Sequence, residues 1–227
     1  MQTLIHTPTP NLKQSLDFYT KLNFRIVSES SPTLVSDGLF LLEINPDRYA
    51  RAGVKLFQAT WEDEVEKLKK LIPIAECEDG YLLDDPGGAR IYLVNHTLDV
   101  SLPPKQPTVL GSFAGISLET IHLPSTAKIW NILGFEGNEI SGDQRWMTLT
   151  NKDGLHISLM SPNTCPHLFF NPSLTYFNGK ENMKIINQIR KLRIPITEEI
   201  TCFNEEGIVD NIIIRDPGGY GFFIFND

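Results

Sequence analysis

Two copies of one short stretch decide the reading of this chain: Asp85-Pro86-Gly87-Gly88 and Asp216-Pro217-Gly218-Gly219. In each, Asp accepts local backbone hydrogen bonds, Pro sets φ near −65°, and the glycines allow positive φ. Apolar residues precede each copy (Tyr81-Leu82-Leu83; Ile212-Ile213-Ile214), and a strand-like run follows (Ile91 to Asn95; Phe222 to Asn226). The pattern predicts a hairpin closing each of two similar halves.

Working outward, the halves align without any second sequence. Phe18-Tyr19-Thr20-Lys21-Leu22-Asn23-Phe24 matches Ile129-Trp130-Asn131-Ile132-Leu133-Gly134-Phe135, and Gly38-Leu39 to Asn45-Pro46 matches Gly154-Leu155 to Ser161-Pro162. The second half is longer, with much of the extra length between Pro162 and Pro172. Within each half, a strand, a helix and three strands occur twice. The first strand is read over Met1 to Thr7, stopped by Pro8 and Pro10, and Asn11 caps a helix with Leu12, Leu16, Tyr19 and Leu22 on one face. Further helices are read over Trp61 to Leu71, Ser125 to Leu133 and Lys180 to Leu192. The fold class is α+β: four βαβββ units in two modules, residues 1–100 and 110–227. The segment 101–109, rich in proline, is a stiff linker.

Composition bounds the function. The net charge of −8 over 227 residues argues against nucleic acid or an anionic membrane as partner. Cys77, Cys165 and Cys202 are odd in number and widely spaced, which reads as reduced thiols in a cytoplasmic protein. No apolar run approaches the roughly 18 residues of a membrane span. Neither Cys165 nor Cys202 has a His at nucleophile spacing, so thiol catalysis is not expected.

Through Ser15-Leu16-Asp17-Phe18-Tyr19, Leu22-Asn23-Phe24 and the two closing hairpins, the chain resembles the glyoxalase/bleomycin-resistance/extradiol-dioxygenase superfamily, the vicinal oxygen chelate fold. The resemblance implies that paired units form a cupped eight-stranded sheet around a cavity. Its catalytic members hold a divalent metal through His, Gln and Glu side chains on the first and last strands of the units, as a Lewis acid for two neighbouring substrate oxygens. Carried over, those positions fall on Leu4 and Gly115, on Val54 and Ser173, and on Tyr92 and Phe223, seven residues beyond each turn Asp. Glu43 is the one ligand-type residue in the set, and its repeat partner is Leu159. No metal site and no cofactor are therefore expected.

Residues two apart on a strand share a face. If Leu4 and Tyr92 face the first cavity, then His6, Leu41, Glu43, Leu56, Gln58 and Arg90 join them. The ligand-binding candidates are His6, Glu43, Gln58, Arg90 and Tyr92, with Arg90 as an anion fork and His6 or Glu43 as an acid–base group. The structural alternative is a Glu43–Arg90 ion pair. The second cavity would be lined by Ser117, Glu119, Thr175, Phe177, Gly221 and Phe223, near Trp146, while His156 aligns with Phe40 and points away. The expected function is metal-free binding of a small organic molecule, in the first cavity rather than the second. The alternatives are a lyase, isomerase or dioxygenase relative working through His6, Glu43 and Arg90, and a scaffold with filled cups. The chain would be a monomer with pseudo-dimeric modules or a homodimer.

Overall fold

A computed structural model of the chain describes residues 1–137 and 145–226. The first unit runs β1 (Gln2–Pro8), α1 (Leu12–Lys21), β2 (Arg25–Ser28), β3 (Thr33–Ser36) and β4 (Leu41–Asn45). The second runs β5 (Gly53–Phe57), α2 (Glu62–Leu68), β6 (Ala75–Cys77), β7 (Gly80–Asp84) and β8 (Arg90–Val94). The third is β9 (Phe113–Glu119), α3 (Leu123–Ile132), β10 (Phe135–Glu136), β11 (Trp146–Asn151) and β12 (His156–Met160). The fourth is β13 (Ser173–Phe177), α4 (Asn182–Lys191), β14 (Ile196–Ile200), β15 (Asn211–Arg215) and β16 (Gly221–Phe225). The four βαβββ units are present as read, and they form two mixed eight-stranded sheets.

The sheet orders are β2-β3-β4-β1-β5-β8-β7-β6 and β10-β11-β12-β9-β13-β16-β15-β14, the same order twice. In each, the first strands of two units pair antiparallel at the centre, as in β1 with β5, and each pairs parallel with the last strand of its own unit. Asn11 caps α1 as expected, its side chain accepting from the Gln14 N–H. The third helix starts earlier than its apolar pattern suggests, because His122 accepts from the Ser125 N–H and Pro124 suits a first turn. The sixth strand forms at Ala75–Cys77 rather than at Ile72-Pro73-Ile74, where Pro73 has no N–H to give a ladder.

One face of each sheet is mainly apolar, and these two faces feed a single core. Ile5, Leu42, Val54, Leu56, Ile91 and Leu93 of the first sheet share it with Ile116, Leu159, Leu174 and Phe222 of the second. Aromatic contacts cross from one module to the other: Phe40 against Phe113 at 4.5 Å, and Phe18 against Phe222 at 5.8 Å. The modules are thus two sheets on one core. Their linker lies strapped to the first module, with Gln106 N–H donating to the Asp37 carbonyl and Val109 N–H to that of Leu22.

The two hairpins hold this arrangement. Gly88 and Gly219 take φ of +82° and +97°, and their N–H groups close the turns onto the Asp85 and Asp216 carbonyls. Gly87 and Gly218 are needed for a different reason. A Cβ at Gly218 would collide with the Pro8 carbonyl oxygen, and one at Gly87 with that of Glu119, each across the module boundary. The aspartates reach across as well. Asp85 Oδ1 holds its own turn while Oδ2 accepts from Trp130 Nε1 at 3.1 Å. Asp216 Oδ1 accepts from the Tyr220 N–H, and Oδ2 accepts from Thr7 Oγ1 at 2.7 Å and Tyr19 OH at 2.8 Å. Tyr19 and Trp130 are the aligned pair of the repeat. The hairpin that ends one module is therefore clasped by the first helix of the other.

Candidate functional site

The opposite face of each sheet is where the resemblance places a cup, and the strand register says which residues lie on it. In the first module, β1 pairs His6 with Glu43, β5 pairs Lys55 with Tyr92, and the core takes Ile5, Val54, Leu56 and Ile91. In the second, the corresponding positions of β9, β12, β13 and β16 are Ser117, Ser158, Thr175 and Phe223. A one-residue slip reverses every side chain on a strand. Two of the expected assignments slip in this way: Val54 and Leu56 face the core, so Lys55 takes the cup, and the counterpart of Glu43 is Ser158 rather than Leu159.

The first cup is full. Leu4, Leu34, Leu41 and Phe57 pack together in it, with Val27, Val94, Leu98 and Val100 against them. Beyond this apolar plug, Glu43 Oε1 accepts from His6 Nδ1 at 2.7 Å and from Lys55 Nζ at 2.6 Å. His6 and Glu43 are 2% and 4% exposed. Burial pushes the Glu43 carboxyl up, but the His6 hydrogen bond and the Lys55 ammonium pull it below its ordinary value. An ionised carboxylate only accepts, so His6 Nδ1 carries the proton. The Tyr92 ring stands edge-on to His6 at 5.3 Å, and Lys55 Nζ lies 5.6 Å from its centroid.

Of the five candidates, the structure brings His6, Glu43 and Tyr92 together, and Arg90 lies beside Tyr92 at the strand end without reaching Glu43. Arg90 pairs with Asp84 at 3.0 Å instead of Glu43, at the exposed margin of the sheet. Gln58 lies past the end of β5 and donates to the Thr60 carbonyl and to Glu64 Oε2, away from the cup. The residue missed was Lys55. Its signal was the alternation Val54-Lys55-Leu56, which leaves the charged residue no place on an apolar face.

The second cup is open. A cavity of about 510 Å³ is bounded by β9, β12, β13 and β16 and by the loops that carry Thr164 to His167 and Phe203. His6, Glu43, Lys55 and Tyr92 do not line it, nor do they line three further cavities among the described residues. Ser117, Thr175, Phe177, Phe223 and Trp146 line the second cup as expected, whereas Glu119 and Gly221 do not, Gly221 being covered by Phe170. His156 is corrected: it lines this cavity, its Nδ1 2.8 Å from Thr150 Oγ1. The extra residues after Pro162 build one wall. There His167 Nδ1 donates to the Leu168 carbonyl, its ring edge-on to Phe223 and Phe225. Cys165 lies 3.7 Å from Met160 Sδ, and burial followed by the charge of Glu119 pushes its thiol up, away from thiolate reactivity.

Neither cup fits the metal that the resemblance implies. Among the described residues no three His, Cys, Asp or Glu side chains converge. In the first cup the third neighbour of His6 and Glu43 is an ammonium, which repels a cation. In the second cup the matching positions carry the three hydroxyl groups of Ser117, Ser158 and Thr175 beside Phe223, a weak donor set for a divalent ion. No described helix is long and apolar enough to cross a membrane.

Comparison by sequence finds no matching family model and no curated relative. Comparison of structures does find likenesses. A catechol 2,3-dioxygenase superposes with a TM-score of 0.54 at 13% identity, over 97% of this chain and 85% of that one. A halotolerant catechol dioxygenase, BphC, gives 0.52 at 17%, over 97% and 84%. A variant of homoprotocatechuate 2,3-dioxygenase from Brevibacterium fuscum gives 0.62 at 14%, over 99% and 70%. The sheet order, the doubled units and these superpositions agree: this chain has the two-module fold seen in these catechol dioxygenases.

Proposed function

We propose that this protein binds a small organic molecule, without a metal, in the cup of its second module. One observation carries the reading: the second cup holds an apolar cavity of about 510 Å³, within the size range of small-molecule sites, while the first is plugged by its own side chains. The expectation that the first cup is the site is replaced. Its polar groups are spent on one another, Glu43 on His6 and Lys55, and Arg90 on Asp84. An enzyme built on His6, Glu43 and Arg90 has no support in that arrangement. Metal independence is supported by the donor sets of both cups.

The test is a thermal-shift screen of chelator-treated protein against small organic compounds, repeated on Ser158→Trp, which fills the cup. Stabilising compounds should be found for the parent and lost in the variant. Compounds that stabilise only after a divalent metal is added, or that stabilise Ser158→Trp equally, would overturn the proposal.

A further inference from the structure

The lining of the second cup also says what kind of molecule it suits, an argument that rests on the binding role just proposed. No Asp, Glu, Lys or Arg is among the described residues that line it. A charged ligand would give up its hydration there with only the imidazoles of His156 and His167, and no carboxylate, ammonium or guanidinium of the lining, to replace it. Four phenylalanines, 177, 203, 223 and 225, bound the space, and the rings of Phe223 and Phe225 lie nearly parallel, 7° apart with centroids at 5.6 Å. Aromatic rings around the space favour an aromatic partner that can stack on them or meet them edge-on.

The polar floor is as specific. Ser117 Oγ and Thr175 Oγ1 lie 2.6 Å apart, both nearly buried and both lining the cavity. Each hydroxyl has one proton. One proton spans the pair, and the other is left over, with no further protein acceptor for it among the described side-chain hydrogen bonds. A buried hydroxyl proton without an acceptor is costly, and a ligand oxygen would satisfy it. We infer that the second cup takes an uncharged, planar aromatic molecule bearing a hydrogen-bond acceptor, of the aryl ketone or aryl ester class, with that acceptor seated on Ser117 and Thr175.

Three probes of one shape separate the parts of this inference: 2-acetylnaphthalene, 2-naphthoate and 2-ethylnaphthalene, titrated into chelator-treated protein by calorimetry or fluorescence. The ketone should bind tightest, the carboxylate more than about tenfold more weakly, and the hydrocarbon about fivefold more weakly. In Ser117→Ala/Thr175→Val the ketone should lose its advantage over the hydrocarbon. Thr175→Val alone gives the same reading, reduced, should the double variant not fold. Binding of the carboxylate as tight as that of the ketone, abolished by Ser158→Trp, would overturn the ligand class and leave the cup as a binding site. An undiminished ketone advantage without the hydroxyls would overturn the seat. No binding of any probe would overturn the cup reading itself, and the ligand class with it.

Discussion

The two cups stand at equivalent places in one repeated architecture, yet they have gone opposite ways. At the same four strand positions the first carries His6, Glu43, Lys55 and Tyr92, and the second Ser117, Ser158, Thr175 and Phe223. The first set is charged, mutually satisfied and sealed behind leucines and Phe57. The second is uncharged and leaves room. Loop length accompanies the difference. Seven residues, 46–52, join β4 to β5, whereas twelve, 161–172, join β12 to β13, and these reach out to form a wall. One scaffold thus supplies a filled half and an open half.

Breaking the sealed cup should give the largest effects. Lys55→Ala leaves the buried Glu43 carboxylate with His6 and a long contact from Asn45 Nδ2 as its partners, and should cost about 3–5 kcal/mol in denaturant unfolding. A loss below 1 kcal/mol would mean that the cluster is not the charge-paired unit described. Leu41→Ala, at a 4% exposed position in the plug, should cost about 2–4 kcal/mol. The clasp between the modules comes next. Tyr19→Phe removes one donor from Asp216 and should cost about 1.5–3 kcal/mol, with no change in ligand binding.

A pH series sharpens the same contrast. Because the folded-state value of Glu43 lies below its unfolded one, the stability it contributes is present above the ordinary carboxylate range and is lost as pH falls through the lowered value. The gap in stability between wild type and Glu43→Gln should therefore narrow on acidification. A gap that stays constant down to the acid transition would contradict the direction assigned to that carboxyl. The smallest effect belongs to the open cup. Phe203→Ala, at a 50% exposed position, should change stability by about 0.5 kcal/mol or less while weakening ligand binding.

Much of the fold was legible because it was written twice. The repeat of Tyr19 and Trp130 ahead of two DPGG turns located four units and two sheets without a relative for comparison. The clasp was not legible, because a turn sequence shows its own hydrogen bonds and says nothing of Trp130 Nε1 reaching Asp85 from the other module. The site was half legible. His6, Glu43 and Tyr92 do meet, but Gln58 and Leu56 were placed by counting through β5 one residue out of register. Which cup stays open depends on side chains from distant segments, such as Leu98 and Val100 packing into the first and Phe203 lining the second. No local pattern encodes that.

The central claim is that the second cup alone receives a ligand, and that it does so without metal. Methyl-labelled protein stripped with chelator and titrated with 2-acetylnaphthalene tests it directly by nuclear magnetic resonance. Shifts should appear at Ala114, Met160 and Thr175, and Leu4, Leu34 and Leu41 should not move. Shifts centred on the first-cup leucines, or shifts that appear only when a divalent metal is restored, would contradict it.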